Sequence, residues 1–168
     1  TLLKAKDNLG RQPLHYAARN GHIEVVKFLL SKKSYIDATD NRGHTPLCLA
    51  AFYGQVSVVT FLLEKRAKIK LEPHFYSTEN NHNTPLHHIA HFNFPEGTKA
   101  LLEYKADINE CNNYGRTPLH IAIHKNNINT IRHLIIQKAN LSIKNTNGDT
   151  PLDCIKIQIK NLSAKLTN

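Results

Sequence analysis

Cysteine is scarce in this 168-residue chain, which has three cysteines at widely separated positions. An odd number of distant cysteines does not suit a disulfide framework, so the sequence favours a reducing compartment. Long apolar runs and a signal peptide are also missing, which argues against a membrane-spanning helix or export. We therefore expect a soluble, cytoplasmic protein. An initiator methionine is missing too, so we expect these residues to be a piece of a longer chain.

The usual sequence signatures of enzymes are missing as well. The chain has no glycine-rich phosphate loop, no Gly-x-Ser-x-Gly turn and no pair of carboxylates in an apolar frame. A catalytic Cys48 would need a nearby base and an electropositive setting, whereas a small apolar residue packed between helices needs nothing further. The same holds for Cys111 and Cys154. We expect no catalytic activity and no cofactor in this segment.

One short stretch recurs along the chain, most clearly from Asn112 to Ala122. When the copies are aligned on their proline, the successive spacings are 33, 39, 33 and 33 residues. A fixed spacing of this size is typical of a solenoid built from repeated units. The aligned prolines are Pro13, Pro46, Pro85, Pro118 and Pro151.

Each copy has the local signals of two helices joined by a turn. Thr117 can cap a helix with its hydroxyl, Pro118 suits the first helical position, and Gly115 allows positive φ in the preceding turn. An apolar pair follows 16 residues after each proline and predicts a second helix: Leu29-Leu30, Leu62-Leu63, Leu101-Leu102 and Leu134-Ile135. Residues that tolerate the left-handed conformation separate the two helices: Gly21, Gly54, Asn93 and Asn126.

Two copies carry a family resemblance most fully: Gly43-His44-Thr45-Pro46-Leu47-Cys48-Leu49-Ala50-Ala51 with Gly54, and Asn8 to Ala18 with Gly21. They resemble the ankyrin repeat, and the likeness covers nearly all of the chain. It implies an all-α fold, an ankyrin-repeat solenoid of helix-loop-helix units with β-turn fingers. The fingers and the first helices would line a concave face. Ankyrin repeats are protein-interaction modules, so the resemblance implies a protein partner.

We expect one domain over residues 1–168. Its repeats would span about 7–39, 40–78, 79–111 and 112–143, with a C-terminal cap at 144–168. In the cap, one helix would place Ile155, Ile159, Leu162 and Leu166 on one side and so close the exposed core that a solenoid otherwise leaves.

The second repeat contains six extra residues, which fall between Lys70 and Thr78. They lengthen one finger, and either Ile69 or Phe75 would fill the packing position that Ile36 fills one repeat earlier. The insertion also brings Tyr76, so it is a candidate contact element, because loops on rigid scaffolds often carry function. A tolerated surface insertion is the alternative.

Histidine is the densest chemical signal, with eleven in the chain. His87 and His91, like His120 and His124, are four residues apart, a spacing that can bind zinc on one side of a helix. No motif places a third ligand, and the resemblance implies that His87 and His120 hydrogen-bond locally and stiffen the turn. We therefore expect structural histidines and no metal. A pH-sensitive contact through His91 and His124 is a further hypothesis.

The net charge of +9 raises the possibility of nucleic-acid binding. The placement of the charges argues against it, because they fall on or just after the second helices, on the convex side. A solvated face is the simpler interpretation, and a nucleic-acid-associated basic adaptor is kept as an alternative function. The residues concerned are Lys27, Lys32, Lys33, Lys65, Arg66, Lys99, Lys105 and Lys138.

The resemblance also implies which residues face the concave side, namely those of the fingers and of the ends of the first helices. Phe52, Tyr53, Phe92 and Tyr114 would be apolar anchors of the kind found in binding hot spots. Arg11, Arg42, Arg116 and Lys125 would meet acidic groups, so we expect an acidic or acid-flanked protein partner, no small-molecule substrate and a monomeric chain. The full candidate set is Arg11, Arg19, Arg42, His44, Phe52, Tyr53, Phe75, Tyr76, His91, Phe92, Tyr114, Arg116, His124 and Lys125.

Three other functions are left open. The segment could be the regulatory or substrate-recruiting arm of an enzyme whose catalytic domain lies outside it, or a passive structural spacer. The many Asn, Ile and Lys residues indicate an AT-rich genome such as that of an intracellular microbe. In that case the chain would be an effector that acts on host proteins in the host cytosol or nucleus.

Overall fold

The computed structural model describes residues 2–70 and 82–166. In these two ranges all regular secondary structure is helical, and there is no strand. A 3₁₀ helix at Leu2–Lys4 comes first. The α-helices that follow are α1 Pro13–Arg19, α2 Ile23–Ser31, α3 Pro46–Phe52, α4 Val56–Glu64, α5 Pro85–Phe92, α6 Pro95–Glu103, α7 Pro118–His124, α8 Ile128–Ile136 and α9 Pro151–Leu166. The predicted all-α fold is confirmed.

The helices form two stacked layers. The first helices of the repeats, α1, α3, α5, α7 and α9, pack against one another in that order, and the second helices, α2, α4, α6 and α8, do the same. In the first four repeats, each first helix also packs against the second helix of its own repeat, as α1 does against α2. This is the stacking of a solenoid, in which each repeat contacts its neighbours. The side lined by the fingers and the first helices is called the concave face below.

The first helices begin where the sequence predicts, at the five aligned prolines. Thr45 and Thr117 precede two of these prolines with extended backbones, and their hydroxyls accept the N–H groups of Cys48 and His120. Such a cap satisfies one of the backbone donors that a helix start leaves without an intrahelical partner.

The helices end where residues adopt positive φ. The predicted left-handed residues between the two helices of a repeat are confirmed, for example Gly54 at φ 69° and Asn93 at φ 58°. The second helices end in the same conformation at lysine or arginine instead of glycine: Lys33, Arg66, Lys105 and Lys138, at φ 62° to 66°. A left-handed conformation costs a residue with a Cβ roughly 1–2 kcal/mol, so the packing of the repeats must offset that cost.

Gly54 provides a test of how tightly the repeats are fitted together. A Cβ at Gly54 would overlap the Phe94 ring of the next repeat, whereas a Cβ at Gly148 would meet no heavy atom within 4 Å, and both residues have positive φ. Gly148→Ala should therefore lower the free energy of unfolding by about 1–2 kcal/mol. Gly54→Ala should cost at least about 1 kcal/mol more, because overpacking is added to the backbone strain. Urea unfolding of both variants measures the difference, and equal losses would contradict the predicted overlap.

The core divides into two clusters along the stack. One extends from Leu14 in the first repeat to Leu101 in the third, and Ile69 packs against it. The other contains Ala90, Leu119, Ile123 and Leu134. Ile36 packs against the same cluster, so Ile69 takes the packing position for which either Ile69 or Phe75 was predicted. The insertion residues Phe75 and Tyr76 lie outside the described residues, and the predicted repeat boundaries stay a prediction.

That α9 closes the core stays a prediction, because the side chains of Leu162 and Leu166 lie outside the described part of the chain. Ile155 packs against the second cluster, but Leu152 and Ile159 are largely exposed. The other first helices end after seven or eight residues, whereas α9 has 16. The reason is local, because Ile159 stands where the other repeats have Gly or Asn, and a β-branched residue strongly disfavours positive φ. The helix therefore continues instead of turning back.

Candidate functional site

The fingers on the concave face are held by short side chains that bind backbone N–H groups. The Asp40 carboxylate accepts hydrogen bonds from the backbone N–H groups of Arg42 and His44, at 2.9 and 2.8 Å. Asn112 and Asn145 stand at the same repeat position, six residues before the aligned proline, and their side-chain oxygens accept the equivalent N–H groups of their own fingers. Burial would raise the pKa of Asp40, but the hydrogen bonds from His44 and from the Arg42 backbone lower it to about 2. The fingers are therefore rigid platforms for the residues that they carry.

Two of the predicted partner-binding residues serve this network. The Arg11 Nε lies 3.4 Å from the Asp40 carboxylate, the His44 Nδ1 lies 3.2 Å from it, and both side chains are largely enclosed. The Arg11 charge is thus already neutralised within the chain by a residue 29 positions away. Arg42 is exposed on the same finger.

The histidines of the Thr-Pro-Leu-His positions link neighbouring repeats. His87 Nδ1 accepts the Thr84 backbone N–H at 3.2 Å, and His87 Nε2 lies 2.8 Å from the Arg116 carbonyl of the next finger. A carbonyl only accepts, so Nε2 must carry the proton and donate. His15 and His120 repeat the arrangement towards the carbonyls of His44 and Asp149. The expected local hydrogen bond is confirmed, and a bond to the next repeat accompanies it.

These hydrogen bonds bear on whether His87 could bind zinc and on whether the three histidines are charged. With both ring nitrogens of His87 occupied, neither is available as a metal ligand. Among the residues that the structure describes, no three His, Cys, Asp or Glu side chains are grouped so that they could hold a metal ion. Burial lowers the pKa of His87 to about 4, and it lowers the pKa values of His15 and His120 as well. All three imidazoles are thus neutral at pH 7.

An aromatic cluster, defined as Phe52, Tyr53, His88 and Phe92, lies where α3 and α5 pack together. The Phe52 ring is at its centre, with centroid distances of 5.0 Å to Tyr53, 5.1 Å to Phe92 and 5.2 Å to His88. Edge-on packing at such distances is favourable for aromatic pairs. Tyr53 is 41% exposed and Phe92 38% exposed, whereas Phe52 is half-buried. Three of the four predicted anchors therefore meet in one place.

Cationic and imidazole groups border the aromatic cluster on both sides. The Arg19 guanidinium lies over the Tyr53 ring at 4.6 Å from its centroid. On the other side, the His91 ring is 4.5 Å from that of Phe92. Burial, followed by the nearby charges of Lys125 and His124, lowers the pKa of His91. The pH-sensitive contact through His91 and His124 stays a hypothesis.

His88 is the residue of this cluster that sequence reasoning did not single out. It is buried, its Nε2 has no hydrogen-bond partner, and its neighbours at the same repeat position are Leu49 and Ile121. Burial, followed by the nearby His44, His87 and His91, lowers its pKa to about 3. A polar residue at a position that is apolar in the adjacent repeats was the available signal.

The remaining predicted residues lie further along the concave face. Tyr114 is exposed, and the Arg116 guanidinium lies 5.6 Å from its ring centroid. Arg116 and His124 also line a cavity of about 360 Å³ between the fourth and fifth repeats, together with His120, Asn145, Asn147, Asp149, Cys154, Ile157 and Gln158. Tyr114 thus lies apart from the aromatic cluster and contacts Arg116, which lines this cavity. Lys125 is exposed at the end of α7.

The basic residues of the second helices are exposed, as predicted for a solvated convex side. Lys27 and Lys65 both lie over the Phe61 ring, at 5.9 and 5.5 Å from its centroid. Their aliphatic stems and charges therefore cover an apolar ring of the same chain. Within the described ranges, none of the helices is both long enough and apolar enough to cross a membrane.

A comparison with known families gives one finding. The family model described as "Ankyrin repeats (3 copies)" matches residues 1–73 and 70–147. No curated protein matches the chain.

Proposed function

We propose, from the premise that this chain belongs to the ankyrin repeat family, that it binds a segment of a protein partner along its concave face. Repeats of this family are generally protein-interaction modules. The observation that carries the proposal is the aromatic cluster, in which Tyr53 and Phe92 present exposed rings on two packed helices. Exposed aromatics supported by a rigid framework are the residues that most often dominate binding energy.

The rigidity of the framework favours this site further. Neighbouring fingers are joined by backbone hydrogen bonds, from the Asn41 N–H to the Leu9 carbonyl at 2.9 Å and from the Thr146 N–H to the Tyr114 carbonyl at 3.0 Å. The histidine bonds between repeats fix the helices beneath them. A preorganised surface loses less conformational entropy when it binds, so more of the contact energy appears as affinity.

The partner that suits this face carries acidic groups beside an apolar centre. Arg19 stands at the edge of the aromatic cluster, and Arg116 and Lys125 lie further along the concave face. The chain as a whole has a net charge of +9, which would steer an acidic partner towards it. Arg11, which is paired with Asp40, contributes little to this attraction. A reducing compartment such as the cytoplasm is the proposed setting, since all three cysteines are free thiols.

A double variant tests the proposal. Tyr53→Ala with Phe92→Ala removes the two exposed rings and leaves the half-buried Phe52 in place. We expect the affinity for a protein partner captured by the unmodified chain to fall roughly thirtyfold or more, because two hot-spot residues cost at least about 1 kcal/mol each. Capture from cell lysate identifies the partner, and calorimetry with the purified partner measures the dissociation constant.

The matched control replaces exposed aromatics of the second-helix layer. Phe28→Ala with Tyr104→Ala removes rings of similar exposure from the ends of α2 and α6. This control should bind as tightly as the unmodified chain. Equal losses in the two double variants, or no loss in either, would show that the aromatic cluster is not the binding site. Circular dichroism and thermal unfolding verify that all variants stay folded.

A further inference from the structure

The C-terminal end of the helix stack exposes residues that the other repeats bury. The leucine that follows the aligned proline is 0–1% exposed in the first four repeats, at Leu14, Leu47, Leu86 and Leu119. At the same position in the fifth repeat, Leu152 is 53% exposed. The cause is the continuous helix α9, because no second helix folds back over it in the described part of the chain. Leu152 thus lacks the cover that its equivalents have.

The neighbouring helix α8 is uncovered on the same end. Ile128, Ile131 and Ile135 follow the spacing of one helical face. Ile135 is 46% exposed, whereas Leu63, which occupies its position two repeats earlier, is 2% exposed under α6. Ile131 of α8 and Ile155 of α9 both pack against the second core cluster, so the apolar stripes of the two helices border the same core.

The exposed apolar surface is called the end face below. Its residues are Ile128, Ile131 and Ile135 of α8 with Leu152, Ile155 and Ile159 of α9. The two helices correspond to α4 and α5, and α6 packs against both of those. A third apolar helix could likewise lie against α8 and α9, with ridges of one helix in grooves of another. Exposed apolar surface of this continuity marks an interaction site.

The charges around the end face decide what can cover it. Lys156 occupies the position of Ala18, Ala51 and Ala90, which are fully buried beneath the adjoining helices. Another ankyrin repeat stacked here would therefore have to bury a lysine in the place of an alanine. The ion-pair partner of Lys156 is Asp153, at 3.4 Å, and both side chains are solvent-exposed, so a stacked repeat would have to take both charges out of water. That desolvation is costly, so a plain continuation of the solenoid is disfavoured.

A second copy of this chain suits the end face no better. In a symmetric pair the same surface meets itself, so the positive charges of both copies would be brought into one interface. Arg132 adds another positive charge beside the α8 stripe, four residues after Ile128 and three before Ile135. Asp153, the ion-pair partner of Lys156, is itself partly exposed. The excess positive charge calls for an acidic occupant.

We propose that the end face binds an amphipathic helix of a partner protein, whose apolar stripe is flanked by Asp or Glu residues. The apolar stripe covers the isoleucines and Leu152, and the flanking carboxylates meet Lys156 and Arg132. The surface is separate from the aromatic cluster, so this interaction does not depend on the proposed concave-face function. A chain with both sites could hold two partners, or two segments of one partner, at once.

The test uses the full chain and designed peptides of about five helical turns. The first peptide has leucine along one face with glutamate on both sides of it. The second has the same leucines flanked by lysine, and the third has the glutamates but serine in place of leucine. Fluorescence anisotropy measures binding. The glutamate-flanked leucine peptide should bind, and the other two should bind at least roughly tenfold more weakly.

Variants assign the binding to the end face. Ile135→Lys should weaken the glutamate-flanked peptide roughly tenfold or more, whereas Val25→Lys, at a residue that is also 46% exposed but lies on α2, should leave it unchanged. Lys156→Glu should shift the preference towards the lysine-flanked peptide. Lys27→Glu is its control, since Lys27 forms a comparable (i, i+3) ion pair on α2.

Several outcomes would overturn the proposal. No binding of the glutamate-flanked peptide, equal binding of the lysine-flanked peptide, or an equal effect of Ile135→Lys and Val25→Lys would each do so. If the chain dimerises in sedimentation experiments and Ile135→Lys abolishes the dimer, a second copy covers the end face instead. The Tyr53→Ala, Phe92→Ala variant should still bind the peptide, so failure of the concave-face proposal and failure of this one are distinguishable.

Discussion

Acidification from pH 7 to pH 5 is expected to lower the free energy of unfolding by several kcal/mol. His87 and His88 carry most of this effect, because burial lowers their pKa values to about 4 and about 3. In the unfolded chain both imidazoles return to the ordinary value of about 6.5. The unfolded state therefore takes up protons at a pH at which the native state does not.

The direction of the pH dependence follows from this difference in pKa between the native and the unfolded state. A histidine with a lowered native pKa contributes its full stability above pH 6.5 and loses it as the pH falls towards the native value. Between pH 7 and pH 5, each fully buried histidine should cost on the order of 2 kcal/mol. The lowered pKa values of His15 and His120 act in the same direction. Asp40, with a pKa of about 2, loses its contribution only below its ordinary value of 3.8, outside this range.

Urea unfolding at pH 7.5, 6.5, 5.5 and 5.0, followed by circular dichroism, measures how the free energy of unfolding depends on pH. The midpoint should fall steadily through this range while the slope with urea stays constant, as for a change in stability alone. A midpoint that does not move between pH 7.5 and 5.0 would contradict the lowered pKa values of the buried histidines. His88→Leu is the internal comparison, since it should reduce the dependence by about one histidine's share.

Replacement of two adjacent histidines by leucine should have opposite effects on stability. His87→Leu is expected to lower the free energy of unfolding by about 2–4 kcal/mol. It removes the acceptor of the buried Thr84 N–H and the donor to the Arg116 carbonyl, and a buried group left without its partner costs about 1–3 kcal/mol. The bond to Arg116 also joins two repeats, so the loss should weaken their coupling.

His88→Leu is expected to raise the free energy of unfolding by about 1–2 kcal/mol. The Nε2 of His88 is buried without a hydrogen-bond partner, and a polar group in that situation is destabilising. Leu49 occupies the same position in the second repeat and is buried there, so the fold accepts leucine at this place. The aromatic contact of His88 with Phe52 is lost in exchange for aliphatic packing.

Thermal unfolding at pH 7.5 compares the two variants directly. His88→Leu should raise the melting temperature by a few degrees, and His87→Leu should lower it by more than that. If both variants were destabilised to a similar degree, the His88 ring would have to make a favourable interaction that its contacts with Phe52 and His44 do not reveal. If both were neutral, the bonds of His87 would contribute nothing to the native state.

Much of the fold was predictable because its determinants are local. Proline at the first helical position, threonine before it and a left-handed residue between the helices each act on a few neighbouring backbone groups. Their repetition at a fixed spacing then specifies the stack. His87 was predictable for the same reason, since its Nδ1 bond is to a residue three positions earlier.

The candidate site was predictable only in outline. The repeat position indicated that Phe52, Tyr53 and Phe92 lie on the concave face, but the packing of α3 against α5 decided that they meet in one cluster. The sequence suggested that Arg11 was free for a partner, and the adjoining finger placed it against Asp40.

The sequence by itself determined the repeat, its register and the ends of most helices, because those depend on backbone preferences within one unit. Only the tertiary structure decided which charges are neutralised, which histidine is buried without a partner and which apolar stripes at the end of the stack lack cover. These properties depend on contacts between residues or helices about one repeat apart, such as Arg11 with Asp40 or α7 with α9. A pattern within one repeat carries no information about what its neighbour places against it.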